Sequence, residues 1–137
     1  MKYYNVVCAV IFNDKGEVFV TKRGPGRPLV GFWEFPGGKK EETENFFEAT
    51  IREIEEELSI IVEPIKYLTN VYYEYPSIGD FNEFSITLHA IECRIKSGEI
   101  NLNEHTDAMW TTLRECRRLD FAFADKKIVE YLINNKK

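Results

Sequence analysis

Residues 37–60, GGKKEETENFFEATIREIEEELSI, open on two glycines and close on a dense run of acids. Glu41, Glu42, Glu44, Glu48, Glu53, Glu55, Glu56 and Glu57 face only Lys39, Lys40 and Arg52. The net charge of this stretch equals the −5 of the whole chain, so the rest is balanced. Asn45 followed by Glu48 has the spacing of a capping box and predicts a helix start. Phe47, Ile51, Ile54 and Leu58 then recur at helical spacing and predict one apolar stripe. Glu53, Glu56 and Glu57 share another face, roughly 140° away at about 100° per residue. Like charges this close destabilise a helix by roughly a few tenths of a kcal/mol per pair. A hard divalent cation would reverse that cost, since Mg²⁺ takes oxygen ligands and keeps waters beside a phosphorylated ligand. A solvated acidic face is the alternative reading of such a run. The Pro36-Gly37-Gly38 turn at a fixed distance upstream favours the cation.

Working outward, residues 3–12 are rich in Val and Ile on both faces, as in a strand covered on two sides. Asn13-Asp14-Lys15-Gly16 reads as a turn, and residues 17–21 as a returning strand. Gly24, Pro25, Gly26, Pro28 and Gly31 mark a loop. Residues 32–35 form a short aromatic strand that Pro36-Gly37-Gly38 breaks. Strands are expected at 65–75, 83–95 and 109–112, and a last helix at 125–134. Dominant strands with two helices far apart in sequence predict an α/β fold. It is read as one domain over 1–137, a mixed β-sheet with helices on both faces.

With 44% hydrophobic and 30% charged residues among 137, the chain can bury an ordinary core. No basic block stands out, which argues against a nucleic-acid polymer as partner. Cys8, Cys93 and Cys116 are odd in number, far apart and without CxxC spacing, so reduced thiols are expected. The apolar residues 1–12 are too short to span a membrane and lack a small-residue cleavage site. No membrane partner is expected, and the cytoplasm is the expected compartment.

Gly38, Glu44, Arg52, Glu53, Ile54, Glu56, Glu57 and Ile60 fall without gaps on a known signature. The chain thereby resembles the Nudix hydrolases. Ser59 stands where that family has glycine, and Thr43 replaces a glycine common before the first glutamate. Serine can adopt the left-handed helix end at a cost of about 1 kcal/mol, so Ser59 is expected to affect stability and not chemistry. The similarity continues through FVTKRGPGRPLVGFWEFPGG (residues 19–38), Glu104-His105 ahead of Trp110, and the run Phe121-Ala122-Phe123-Ala124-Asp125. These segments look like those of MutT-type and CTP-pyrophosphohydrolase-type members.

The resemblance implies a Nudix-type α/β/α sandwich and hydrolysis of a nucleoside diphosphate linked to another group. In MutT-like members a triphosphate becomes a monophosphate and pyrophosphate. It implies metal ligation, by Mg²⁺ or a substituting Mn²⁺, at the Gly37 carbonyl, Glu53, Glu56 and Glu57, with Glu104 an acid outside the signature. Either Glu53 or Glu104 would orient or deprotonate the attacking water. Gly38, Glu44 and Arg52 would support the site.

On the substrate side, Arg23 and Lys39 flank the metal loop and are candidate phosphate contacts. Lys22 and Arg27 read as surface charges. Phe32, Trp33 and Phe35 offer a stacking surface, though aromatics on a strand are more often core. By resemblance, the Phe35 backbone and Asp125 would meet the base. An ionised Asp125 only accepts hydrogen bonds, which favours the amino group of cytosine or adenine over oxidised guanine. Asp125 as a simple helix cap is the alternative. His89 and His105 lack a partner at helical spacing and are not read as ligands. The leading function is a Mg²⁺-dependent, pool-sanitising nucleoside triphosphate pyrophosphohydrolase acting as a monomer or homodimer. ADP-ribose or nucleotide-sugar hydrolysis, for which Pro76 is a weak mark, is the alternative. A binding module without turnover fits less well, because it need not keep Glu53, Glu56 and Glu57.

Overall fold

The Val- and Ile-rich start of the chain forms β1 (Lys2–Ile11), whose last five residues are buried. A computed structural model describes residues 1–135. Alternation along β1 sends Cys8 and Val10 into one core and Ala9 and Ile11 into another, as a strand covered on both faces must. β2 (Val18–Lys22), β3 (Trp33–Glu34) and β4 (Gly37–Lys39) precede α1 (Phe46–Leu58). β5 (Ile61–Tyr75), β6 (Phe84–Ser97), β7 (Asp107–Thr111), α2 (Leu113–Cys116) and α3 (Phe123–Asn134) follow.

The mixed sheet has the order β4-β1-β6-β5, with β1 parallel to β6 and the other pairs antiparallel. A second, antiparallel sheet has the order β3-β2-β7. α1 seals the core of Ala9, Ile11, Ile54, Leu58, Ile60 and Ile91, while α3 seals the opposite core with Ile128, Val129 and Leu132. Helices thus cover both faces, as expected. β5 is an edge strand, where Pro64 removes no obligatory ladder bond. The three cysteines are free and buried. Among the described residues no helix is long and apolar enough to cross a membrane.

Several local expectations need correction. The two glycines do not merely break a strand, because residues 37–39 pair with β1 as β4. β5 begins at Ile61, and the short helix α2 has no counterpart in the sequence reading. The capping box is present, with Asn45 Oδ1 accepting from Glu48 N at 2.8 Å and Glu48 Oε1 from Asn45 N at 2.9 Å. The apolar stripe is shifted, however. Phe47 is 38% exposed, and Phe46 packs on the core in its place.

Candidate active site

β4 has two positions that tolerate no side chain, one against β1 and one against α1. A Cβ on Gly37 would meet the Val7 carbonyl and lie 2.7 Å from Cys8 Cα. A Cβ on Gly38 would collide with the Glu53 carboxylate. Gly38 therefore lets the acidic face of α1 lie directly on β4, while Gly37 lets β4 lie close against β1. Glu57 Oε1 accepts the Gly37 N–H at 3.2 Å. Arg52 ties the same parts together: Nη2 donates to Glu44 Oε1 at 2.9 Å and to the Lys39 carbonyl at 3.1 Å. Its Nη1 donates to Glu53 Oε2 at 2.7 Å and to Glu56 Oε1 at 3.3 Å. The Arg52 guanidinium holds the Glu44 carboxyl down at about 2.

The acids differ sharply in environment. Glu56 is exposed, whereas Glu57 is only 4% exposed, so the acidic face does not simply oppose the core. Burial, then the charges of Glu34, Glu104 and Glu53, push the Glu57 carboxyl up to about 9. Burial also raises Glu53 against the opposing Arg52, with Glu56 and Glu104 adding to the rise. Glu104 arrives through the end of α1, whose last carbonyls lack helical partners. Asn101 N donates to the Leu58 carbonyl at 2.9 Å and Asn103 N to the Glu57 carbonyl at 3.0 Å. These bonds lay the segment against the C-terminal end of α1 and bring Glu104 within electrostatic reach of Glu53 and Glu57.

Mutually repelling, oxygen-only donors suit a hard divalent cation. Among the described residues no three acidic, histidine or cysteine side chains already converge as a ready metal cage. Arg52 Nη1, lying against both Glu53 and Glu56, carries positive charge at that face.

Glu34 has no role in the sequence reading, yet it is buried at the centre of the site. Arg23 Nη1 donates to its Oε1 at 2.6 Å, Arg27 Nη1 to its Oε2 at 3.0 Å, and His105 Nε2 lies 3.1 Å from Oε2. Burial opposes the charge on Glu34, but these partners together hold its carboxyl below the usual range. Arg27 is therefore a site residue and not a surface charge. Alternation with the aromatic Trp33 and Phe35 places Glu34 on the opposite face, so spacing carries no signal for its burial.

A cavity of about 680 Å³ adjoins this cluster. Arg23, Arg27, Gly37, Gly38 and Lys39 line it, and so does Asp125. Its aromatic walls are Tyr4, Phe35, Tyr75, Phe81 and Phe84. Phe32 and Trp33 do not line it: Phe32 packs edge-on against Phe123, and Trp33 lies under Lys22. Lys39 Nζ stands 4.0 Å from the Tyr4 ring centroid. Asp125 is not the cap of α3, since Ala122 holds that position. Its Oδ2 instead accepts the Phe35 N–H at 3.0 Å. Burial and the charge of Glu34 push Asp125 up to about 7, so below that value it can donate as well as accept.

A family model, NUDIX domain, matches residues 2–132. The chain is 32% identical over 122 residues to the 8-oxo-dGTP diphosphatase of Buchnera aphidicola subsp. Acyrthosiphon pisum (strain APS), covering 89% of this chain and 91% of that protein. It is 31% identical over 130 residues to the CTP pyrophosphohydrolase of Escherichia coli (strain K12), covering 95% and 91%. The crystal structure of the MutT protein from Methanosarcina mazei Go1 matches with a TM-score of 0.84 at 25% identity, over 99% of this chain and 97% of that one. Because profile, sequence and fold agree over nearly the whole chain, and the acidic helix lies on the Gly37-Gly38 strand as the signature requires, this protein belongs to the Nudix family.

Proposed function

We propose that the protein is a Mg²⁺-dependent nucleoside triphosphate pyrophosphohydrolase that removes modified or surplus nucleotides from the pool. The observation that carries this reading is one juxtaposition. The cavity that carries the Asp125–Phe35 pair in its wall is also lined by Arg23, Arg27 and Lys39 and by Gly37 and Gly38, against which the α1 acids Glu57 and Glu53 pack. The names of the Buchnera and Escherichia coli relatives, an 8-oxo-dGTP diphosphatase and a CTP pyrophosphohydrolase, support the same substrate class.

In this reading Glu53, Glu56 and Glu57, the Gly37 carbonyl and Glu104 hold the divalent cation. Mn²⁺ substitutes for Mg²⁺. When bound, the cation neutralises phosphate charge in the transition state and lowers the pKa of water. Arg23 and Lys39 bind phosphate oxygens. Glu53 or Glu104 takes the proton of the attacking water, and pH–rate profiles of Glu53→Gln and Glu104→Gln distinguish them. The Phe35 backbone and Asp125 meet the base.

The test is a panel of triphosphates, ADP-ribose and dinucleotides with Mg²⁺, scored by product, followed by hydrolysis in oxygen-18 water. Attack at the β-phosphorus places the label in pyrophosphate and leaves the monophosphate unlabelled. Orthophosphate as first product, or turnover confined to ADP-ribose, overturns this assignment.

A further inference from the structure

His105 neither lines the cavity nor belongs to the acidic set, yet its ring is completely enclosed among the charges of the site. Nε2 stands 3.1 Å from Glu34 Oε2 and 3.8 Å from Glu57 Oε1. Nδ1 is buried without a hydrogen-bond partner among the described residues. The polar contacts of the ring to these acids thus run through Nε2. Glu34, held ionised by its arginines, only accepts, so the Nε2–H is directed at its Oε2 with Glu57 Oε1 alongside.

The two carboxylates are anchored unequally. Glu34 is pinned by Arg23 at 2.6 Å and Arg27 at 3.0 Å. Glu57 has the Gly37 N–H at 3.2 Å and otherwise faces the charge of Glu34, the foremost of those acting on it. The His105 N–H is bonded to Glu34; Glu57 Oε1, at 3.8 Å, lies beyond hydrogen-bond reach but near enough for the N–H dipole to screen the repulsion between the two acids. We propose that His105, itself anchored through Glu34 by Arg23 and Arg27, is a positioning residue that sets Glu57 for the divalent cation. The chain Arg23/Arg27–Glu34–His105–Glu57 then joins the phosphate side of the cavity to the metal face. This inference rests on the hydrolase reading above.

The experiment titrates Mn²⁺, followed by electron paramagnetic resonance, into the full chain without nucleotide. It compares wild type, His105→Leu, His105→Gln and Glu57→Gln, with steady-state kinetics alongside. Glutamine can return an N–H near the Nε2 position, whereas leucine fills space without one. His105→Leu should weaken Mn²⁺ binding by about tenfold and lower kcat similarly, with nucleotide KM nearly unchanged. His105→Gln should recover most of both even if its melting temperature falls as far. If the leucine chain does not fold, His105→Asn replaces it, because its shorter side chain cannot reach the carboxylates. Wild-type Mn²⁺ affinity in the leucine or asparagine variant overturns the proposal, and so does a glutamine variant as impaired as they are. Wild-type affinity in Glu57→Gln instead overturns the metal reading itself. Loss in Glu57→Gln without loss in His105→Leu removes only the positioning role.

Discussion

Asn103 donates its side-chain amide to the Ser59 hydroxyl at 3.0 Å and to the Glu56 carbonyl at 2.9 Å. Ser59 ends α1 in the left-handed conformation, with φ 60° and ψ 30°. The departure from the family's glycine is therefore accommodated on the spot. Strain at residue 59 costs about 1 kcal/mol, and the hydrogen bond returns a comparable amount. Ser59→Gly should leave the melting temperature within a few degrees of wild type and activity intact. Ser59→Val, β-branched and without the hydroxyl, should destabilise by about 2 kcal/mol in denaturant titrations. Asn103→Ala should cost about 1 kcal/mol and also lower kcat several-fold, because Glu104 follows it directly.

Glu57 makes the metal-free protein sensitive to base. Its folded pKa, about 9, lies above the ordinary carboxylate value of 4.5. Between those limits the folded state binds more protons than the unfolded one, so stability falls as pH rises. In EDTA the melting temperature should decline from about pH 5 to about pH 9, and Mg²⁺ should reverse much of that decline. Glu57→Gln should flatten the dependence on pH while cutting turnover by orders of magnitude. A wild-type pH dependence in that variant would show that another group is responsible.

Arg52 is the second test of the acidic face. It bridges Glu44, Glu53, Glu56 and the Lys39 carbonyl, a fork that lysine cannot reproduce. Arg52→Lys should reduce turnover by roughly tenfold or more while the chain stays folded. It should also release Glu44 toward the usual carboxylate range. In wild type the depressed Glu44 contributes stability above the ordinary value of 4.5, lost as pH falls through about 2. Acid unfolding of Arg52→Lys should start at higher pH.

What was legible in the sequence follows from how far apart the interacting residues lie. The capping box at Asn45 and Glu48 is local, and the Glu44–Arg52 pair spans two turns of chain into one helix. The left-handed end at residue 59 is implied by the resemblance, whose signature has glycine there, and not by spacing. Glu34 could be read from neither, because its burial depends on Arg23 and Arg27 from a glycine- and proline-rich loop and on His105 from another strand's approach. Phe46 and Phe47 are adjacent and chemically alike. Contacts with Tyr67 and His89 decide that Phe46 is the one packed against the sheet.

Asp125 carries the sharpest prediction. Its Oδ2 holds the Phe35 N–H at 3.0 Å in the cavity wall, and burial with the charge of Glu34 sets its pKa near 7. Above that value the carboxylate only accepts and favours a base with an exposed amino group. Below it the acid also donates, which suits the oxo edge of oxidised guanine. The ratio of kcat/KM for a cytosine triphosphate over 8-oxo-dGTP should therefore rise between about pH 6 and about pH 8.5. A charge-assisted bond in a partly desolvated pocket is worth about 1.5–3 kcal/mol, so the change should reach roughly tenfold. Asp125→Asn cannot titrate: it should flatten the profile, lower cytosine turnover and spare or improve the oxidised guanine substrate. If the variant alters melting temperature but leaves the ranking and its pH dependence as in wild type, Asp125 supports the Phe35 strand and does not read the base.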